Sequence, residues 1–346
     1  MDMNLLDAEE EKCLRQYIAE AQHIVVCGHK SPDGDALSSC LGWSKFLREQ
    51  CGKDVTAIIP DAFPDFLKWL PDSHTLVRFD KHPDKVKEAF DKADLIFCLD
   101  FAEYERVENM SELLRQAKAD IITVDHHISP KIVSALLVSR PDMSSTAEMI
   151  FRLIWQLGGF EKMDKALAVQ LYCGMMTDTG GFTFNSTRPE IYFIIGQLLS
   201  KGIDKDKIYR YVFNNYSQWA IRLRGYIMYQ KLNVFEELHA SYFTITRQDM
   251  QHFHFIKGDA EGLVNEPLRI KGMKLSISMR EDDRRDNTIW VSLRSVDDFP
   301  CNEMAGLFFN GGGHLNASGG HLNCSMEEAE KVVREAFAHY ADRLKG

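Results

Sequence analysis

HIVVCGHKSPDGDALSSCLGWSKFLREQ, residues 23–50, decides the fold. Its opening, HIVVCG (23–28), is an apolar, β-branched run that reads as a strand, and ALSSCLGWSKFLREQ (36–50) reads as a helix. DVTAIIP (54–60), DLIFCLD (94–100) and DIITVDHH (120–127) repeat the strand signal, and ERVENMSELLRQAK (105–118) supplies another helix. Uninterrupted Val/Ile/Leu strands are those buried on both faces. Their alternation with helices predicts a parallel α/β sheet with helices on both faces.

Beyond Ser144 the pattern turns helical. SSTAEMIFRLIWQL offers Ser144 and Ser145 as N-caps, with Glu148 in capping-box spacing from Ser145. ALAVQLYCGMM, IYFIIGQLLSKG and KDKIYRYVF continue as helices, and residues 214–231 look like a connecting helix. KLNVFEELHASYFTIT then reads as a hairpin, MKLSISMRED and NTIWVSLRSV as two strands, and MEEAEKVVREAFAHYADRLK as a terminal helix. Between those two strands, Arg284 and Arg285 with Asp282, Asp283 and Asp286 read as a solvated hairpin tip. A chain of 346 residues exceeds what one core usually holds. The expected division is a catalytic domain over 1–212, a helical linker over 213–232 and a smaller α/β domain over 233–346.

Composition narrows the function. With 45% hydrophobic and 27% charged residues, the chain is globular rather than disordered. No run approaches the roughly 18 apolar residues of a membrane span. The acidic, amphipathic start lacks the basic flank and apolar stretch of a secretory signal, which predicts a cytoplasmic protein. None of the eight cysteines forms a C-x-x-C pair, so they are expected as free thiols. A formal charge of -10 opposes binding to long duplex DNA but not to a small anion held locally.

Acidic and histidine residues recur where apolar segments end. His29, Asp33 and Asp35 follow the first strand as H-x-x-x-D-x-D; Asp100 closes LIFCLD; Asp125, His126 and His127 close IITV; Asp178 follows LYCGMM. In an open parallel sheet, ligands bind outside the carboxyl ends of the strands, and three of these four clusters fall there. Two imidazoles and four carboxylates in one crevice make a cage for two divalent ions, with manganese or magnesium suiting this donor set. Gly34, between Asp33 and Asp35, is expected to let the loop turn sharply. Asp at a strand end is commonly structural when it stands alone; four such clusters together are not.

These motifs resemble the DHH phosphoesterase superfamily, named for the triplet at 125–127, and GGGHLNASGG (311–320), GDAEGLVN (258–265) and VSLRS (291–295) resemble its DHHA1 branch. The similarity covers nearly the whole chain and is strongest to the NrnA-like enzymes. It implies one metal held by His29, Asp33 and Asp100, and a second held by Asp35, Asp100, His126 and Asp178, with Asp100 bridging. It implies further that Asp125 orients a histidine ligand through its other ring nitrogen, and that His127 lies beside the scissile phosphate. Catalytic roles thus fall to His127, Asp125 and Asp100.

Substrate grip is expected from the second domain. Gly311, Gly312 and Gly313 would let backbone amides approach a phosphate, His314 would donate to it, and Arg294 offers a planar fork. The activity so implied is hydrolysis of di- to pentanucleotide RNA and of the 3′ phosphate of pAp by a water activated between two metals, most simply Mn2+. The alternative is a phosphodiesterase for cyclic or linear dinucleotides such as pApA and pGpG. A homodimer is compatible with the class, although no residue pattern fixes a symmetry.

Overall fold

The computed structural model describes residues 3–128, 130–256 and 258–345, and the chain forms two compact units, Met1–Asn215 and Tyr216–Gly346. In chain order the first contains α1 (Ala8–Glu20), β1 (His23–Cys27), α2 (Gly34–Glu49), β2 (Asp54–Ile59), β3 (Val77–Arg78), α3 (Pro83–Lys92), β4 (Leu95–Leu99), α4 (Ser111–Gln116), β5 (Asp120–Asp125), β6 (Leu136–Ser139), α5 (Thr146–Gln156), α6 (Lys165–Asp178), α7 (Pro189–Ser200) and α8 (Lys205–Phe213).

Its sheet runs β3-β2-β1-β4-β5-β6 with every pairing parallel. Alternate residues explain why both faces are covered. Ile24, Val26, Leu95, Phe97 and Leu99 pack with α2, α5 and α6 on one side, where Trp43 meets Phe97 edge-on at 5.3 Å. Val25, Cys27, Ile96 and Cys98 pack with Val86, Phe90 and Leu114 of α3 and α4 on the other. The chain leaves β1 in one direction through β2 and β3, then returns to β4 on β1's other side. This reversal opens a crevice at the carboxyl ends of β1 and β4, the switch point where open α/β sheets bind ligands.

Two findings differ from, or add to, the expected elements. The segment 105–118 is not one helix: a 3-10 stretch, Tyr104–Met110, is broken at Glu108, whose φ is 41°, before α4 begins. The strands β3 and β6 and the helix α3 are additional; both strands are short and lie at the sheet's edges. Among the described residues, no helix is long and apolar enough to cross a membrane.

The second unit contains α9 (Gln218–Tyr226), β7 (Asn233–Phe235), β8 (Ala240–Ile245), α10 (Arg247–His252), β9 (Leu275–Glu281), β10 (Ile289–Ser295), α11 (Cys301–Phe308), β11 (Gly312–Gly313), β12 (Ala317–Leu322), α12 (Met326–His339) and α13 (Ala341–Lys345). Its sheet runs β11-β12-β10-β9-β8-β7, antiparallel except between β8 and β9. Alternate residues of β9 and β10, Leu275, Ile277, Val291 and Leu293, share a core with Met304, Val333 and Phe337 of α11 and α12. The stretch expected as a linker helix is α9 running into a π turn at Ile227–Lys231. Its Leu223 and Ile227 bury against Phe243, Ile245 and Met250, so it is a core element of the second unit.

Candidate metal centre

Each strand end at the switch point delivers one part of the site. His29 lies two residues beyond β1 and is buried; its Nδ1–H donates to the Lys30 carbonyl at 2.7 Å, which leaves a lone pair on Nε2 that could hold a metal. That Nε2 is 3.4 Å from Asp100 Oδ2 and 4.0 Å from Asp33 Oδ1. Asp33 is also the N-cap of α2, its Oδ1 accepting the N–H groups of Asp35 and Ala36.

Asp100, directly after β4, holds a left-handed backbone with φ 66°. Such a conformation in a non-glycine residue costs about 1–3 kcal/mol and survives where the surroundings enforce it. Its carboxylate faces a histidine from each side: Oδ2 toward His29, and Oδ1 3.6 Å from His126 Nε2. His126 has the same tautomeric constraint as His29, its Nδ1–H donating to the Met143 carbonyl at 3.3 Å. Its Nε2 lies 3.5 Å from Asp178 Oδ2, at the end of α6, and 3.9 Å from Asp35 Oδ2. Ligand atoms of His29, Asp33 and Asp100, and of Asp35, Asp100 and His126, each lie within 4.8 Å of one another.

The electrostatics are those of a site short of positive charge. Burial pushes the Asp35 carboxyl well up, and the neighbouring carboxylates of Asp100, Asp178 and Asp33 push it further. Burial would raise Asp100 too, but the His29 hydrogen bond and the charges of His127, His29 and His126 outweigh it and hold Asp100 low. For His29, burial favours the neutral ring, yet contact with Asp100 and the charge of Asp33 raise its pKa. Neutral Nε2 atoms and paired carboxylates fit divalent cations, which would supply the missing charge.

Asp125 behaves differently from expectation. It orients His127, not the candidate ligand His126: His127 Nδ1–H donates to Asp125 Oδ1 at 2.7 Å. His126 is held by the Met143 carbonyl instead, because adjacent residues at the end of β5 point opposite ways. Gly34 is also there for another reason. It is the first residue of α2 and makes no sharp left-handed turn. A Cβ on it would lie 2.3 Å from Thr177 Oγ1, so the missing side chain lets α2 and α6 approach.

Several contributors have no obvious signature in the sequence. Thr146 and Ala147, at the start of α5, donate backbone N–H groups to Asp35, and the Thr146 hydroxyl donates to Asp100. Glu148 does not close a capping box on Ser145; Ser145 caps α5 alone, and the Glu148 carboxylate accepts Ser144 N–H and binds Arg152 and Arg188. Arg188 starts α7 before Pro189 while its guanidinium pairs with Glu148.

In the second unit, β10, β12 and β11 lie side by side. Arg294 is opposite Ala317, Gly312 opposite Gly319 and Gly313 opposite Ser318. Arg294 donates to the Leu293 carbonyl at 2.9 Å. His314 begins a tight turn, its N–H donating to Ala317. Gly311 departs from the expected phosphate-binding role: its N–H donates to the Ala305 carbonyl, and a Cβ on it would lie 1.9 Å from Gly319 O. Gly312 has open space where its Cβ would stand.

Residues 23–175 match the DHH family, N-terminal domain. The chain is 28% identical over 315 residues to the bifunctional oligoribonuclease and PAP phosphatase NrnA of Thermus thermophilus, covering 90% of this chain and 88% of that protein. It is 27% identical over 317 residues to the protein of the same name from Bacillus subtilis, covering 90% and 93%. The crystal structure of an exopolyphosphatase-related protein from Bacteroides fragilis superposes with a TM-score of 0.94 at 45% identity, covering 98% of each chain. The chain belongs to the DHH family, is similar to its NrnA members over most of its length, and is a phosphoric ester hydrolase.

Proposed function

We propose that this enzyme binds two divalent ions, most simply Mn2+ or else Mg2+, and hydrolyses di- to pentanucleotide RNA to mononucleotides, with 3′-phosphatase activity on pAp. The observation that carries it is Asp100, whose two carboxylate oxygens face His29 at 3.4 Å and His126 at 3.6 Å, each imidazole presenting Nε2. His29, Asp33 and Asp100 would hold one ion, and Asp35, Asp100, His126 and Asp178 the other. When bound, such a pair supplies Lewis acidity and lowers the pKa of water beside the phosphorus.

The protein's own groups do the rest. His127, with Nδ1 tied to Asp125, exchanges protons through Nε2 and is held toward its protonated form. Burial opposes that charge, but the Asp125 hydrogen bond and the carboxylates of Asp100 and Asp125 outweigh it. With Nδ1 anchored on Asp125, His127 offers Nε2 as the atom that donates a proton to the departing oxygen. Arg294, Gly312, Gly313 and His314 supply phosphate-binding groups from the second unit, with Arg294 suited to a bidentate contact. The similarity to NrnA supports short oligoribonucleotides and pAp as substrates.

Labelled oligoribonucleotides, from dimers to about 24 residues, incubated with and without Mn2+, test this proposal. Fast metal-dependent loss of dimers to pentamers is expected. Equal rates on a pentamer and the longest strand would sink the length preference. Competition among pApA, pAp and cyclic di-AMP separates it from a cyclic-dinucleotide phosphodiesterase.

A further inference from the structure

The N-terminus of α5 carries three donors that end on metal-site carboxylates. The backbone N–H of Thr146 meets Asp35 Oδ2 at 2.7 Å, and that of Ala147 meets Asp35 Oδ1 at 2.8 Å. The Thr146 hydroxyl donates to Asp100 Oδ1 at 2.9 Å. All of these residues are buried. The first N–H groups of a helix have no partner within it. Two of them are spent here on one carboxylate, while Ser145 caps the N–H of Glu148.

A carboxylate with a fixed donor on each oxygen cannot spin about its Cβ–Cγ bond, so Asp35 is oriented before any cation arrives. Among the described residues, Asp100 has no such backbone pair. It sits in a strained left-handed conformation, and the Thr146 hydroxyl reaches the same oxygen that faces His126. One residue therefore touches both carboxylates, through its backbone to Asp35 and through its side chain to Asp100.

We propose that Thr146 is a positioning residue that sets the spacing of Asp35 and Asp100 and thereby the affinity for the metal pair. This rests on the metal-binding function proposed above. It assigns the hydroxyl a role apart from packing, because the backbone arm survives any side-chain substitution while the arm to Asp100 does not.

Mn2+ titration by calorimetry on the full-length chain, stripped of metal, tests it together with thermal melting of the same samples. Thr146→Val keeps the shape and removes the hydroxyl; Thr146→Ser keeps the hydroxyl. Loss of a group that orients a ligand typically weakens metal binding by about 10–100-fold. Thr146→Val should show that loss, Thr146→Ser should stay within about threefold of the native affinity, and metal-free melting should be nearly unchanged in both.

Native affinity in Thr146→Val, or equal loss in Thr146→Ser, overturns the proposal. So does a collapse of metal-free melting in both Thr146→Val and Thr146→Ala, which would make the residue a support of the fold. If the native chain itself takes up no divalent ion, the metal-binding function fails as well, a result distinct from failure of the variants alone.

Discussion

His127 and Asp125 form a dyad, Nδ1–H to Oδ1 at 2.7 Å, in which Asp125 is fully enclosed and His127 is about a third exposed. The pairing fixes which ring nitrogen carries the proton and leaves Nε2 for the substrate. Since His127 is not assigned as a ligand, His127→Ala should keep its metal content. Its kcat should fall by about 100-fold or more, the usual contribution of a positioned acid. Asp125→Asn, which can present an N–H where an acceptor is needed, should fall less steeply with metal retained. Metal analysis beside steady-state kinetics checks both; full turnover in His127→Ala would remove the acid role.

Gly34→Ala should destabilise the protein by about 1–3 kcal/mol, the range for overpacking a core. The added methyl would stand 2.3 Å from Thr177 Oγ1 and 2.7 Å from its Cβ, and a β-branched side chain within a helix has little freedom to withdraw. Gly196→Ala is the contrast. It lies inside α7 with nothing within 4 Å of its Cβ, so it should be stabilising by about 0.5–1 kcal/mol. Urea unfolding of the two variants decides; similar midpoints would show that α2 and α6 can part without cost.

The strands that build the site are legible because parallel strands buried on both faces are written as continuous Val/Ile/Leu runs, and because His29, Asp100 and Asp125 interrupt those runs where the strands stop. What escapes is carried by groups without a side-chain signature. The N–H groups of Thr146 and Ala147 look like any others in the sequence. Glu148 and Arg188 meet only after the chain has passed through α5 and α6. Gly34 reads as a turn residue because Thr177, its actual neighbour, is remote along the chain. Asp125 and Gly311 mislead for a similar reason: the competing partners, the Met143 carbonyl for His126 and the Ala305 carbonyl for Gly311, are backbone atoms.

Glu148→Gln should cost about 3–5 kcal/mol, the usual penalty for breaking a buried ion pair from one side. Glu148 is wholly buried between two guanidinium groups, with Arg152 at 2.8 Å and Arg188 at 2.7 Å, and it also accepts the Ser144 hydroxyl at 2.7 Å. Ser144 adjoins Met143, whose carbonyl orients His126, so the variant should also bind metal more weakly. Arg188→Ala leaves the Arg152 pair in place and should cost less. Chemical denaturation of metal-free protein orders the three; equal stability of Glu148→Gln and the native chain would contradict the network.

Asp282 gives the clearest dependence on acid, far in sequence from the metal ligands. The sequence places it at a solvated hairpin tip, but it is buried at the turn between β9 and β10. There it accepts the N–H groups of Arg284 at 2.9 Å and Arg285 at 2.7 Å, and the Trp290 indole N–H at 2.8 Å. Burial raises its pKa, but these donors and the Arg285 charge outweigh it and hold the carboxyl at about 2. An unfolded Asp titrates near about 3.9. The folded value is therefore the lower one, so the stabilisation is complete above about pH 4 and is lost as pH falls through about 2. Asp282→Asn should be less stable than the native chain at about pH 6, and the gap should narrow between about pH 4 and 2. A gap that stays constant across that window would mean that the carboxylate's charge contributes nothing and that only the shape of the turn matters.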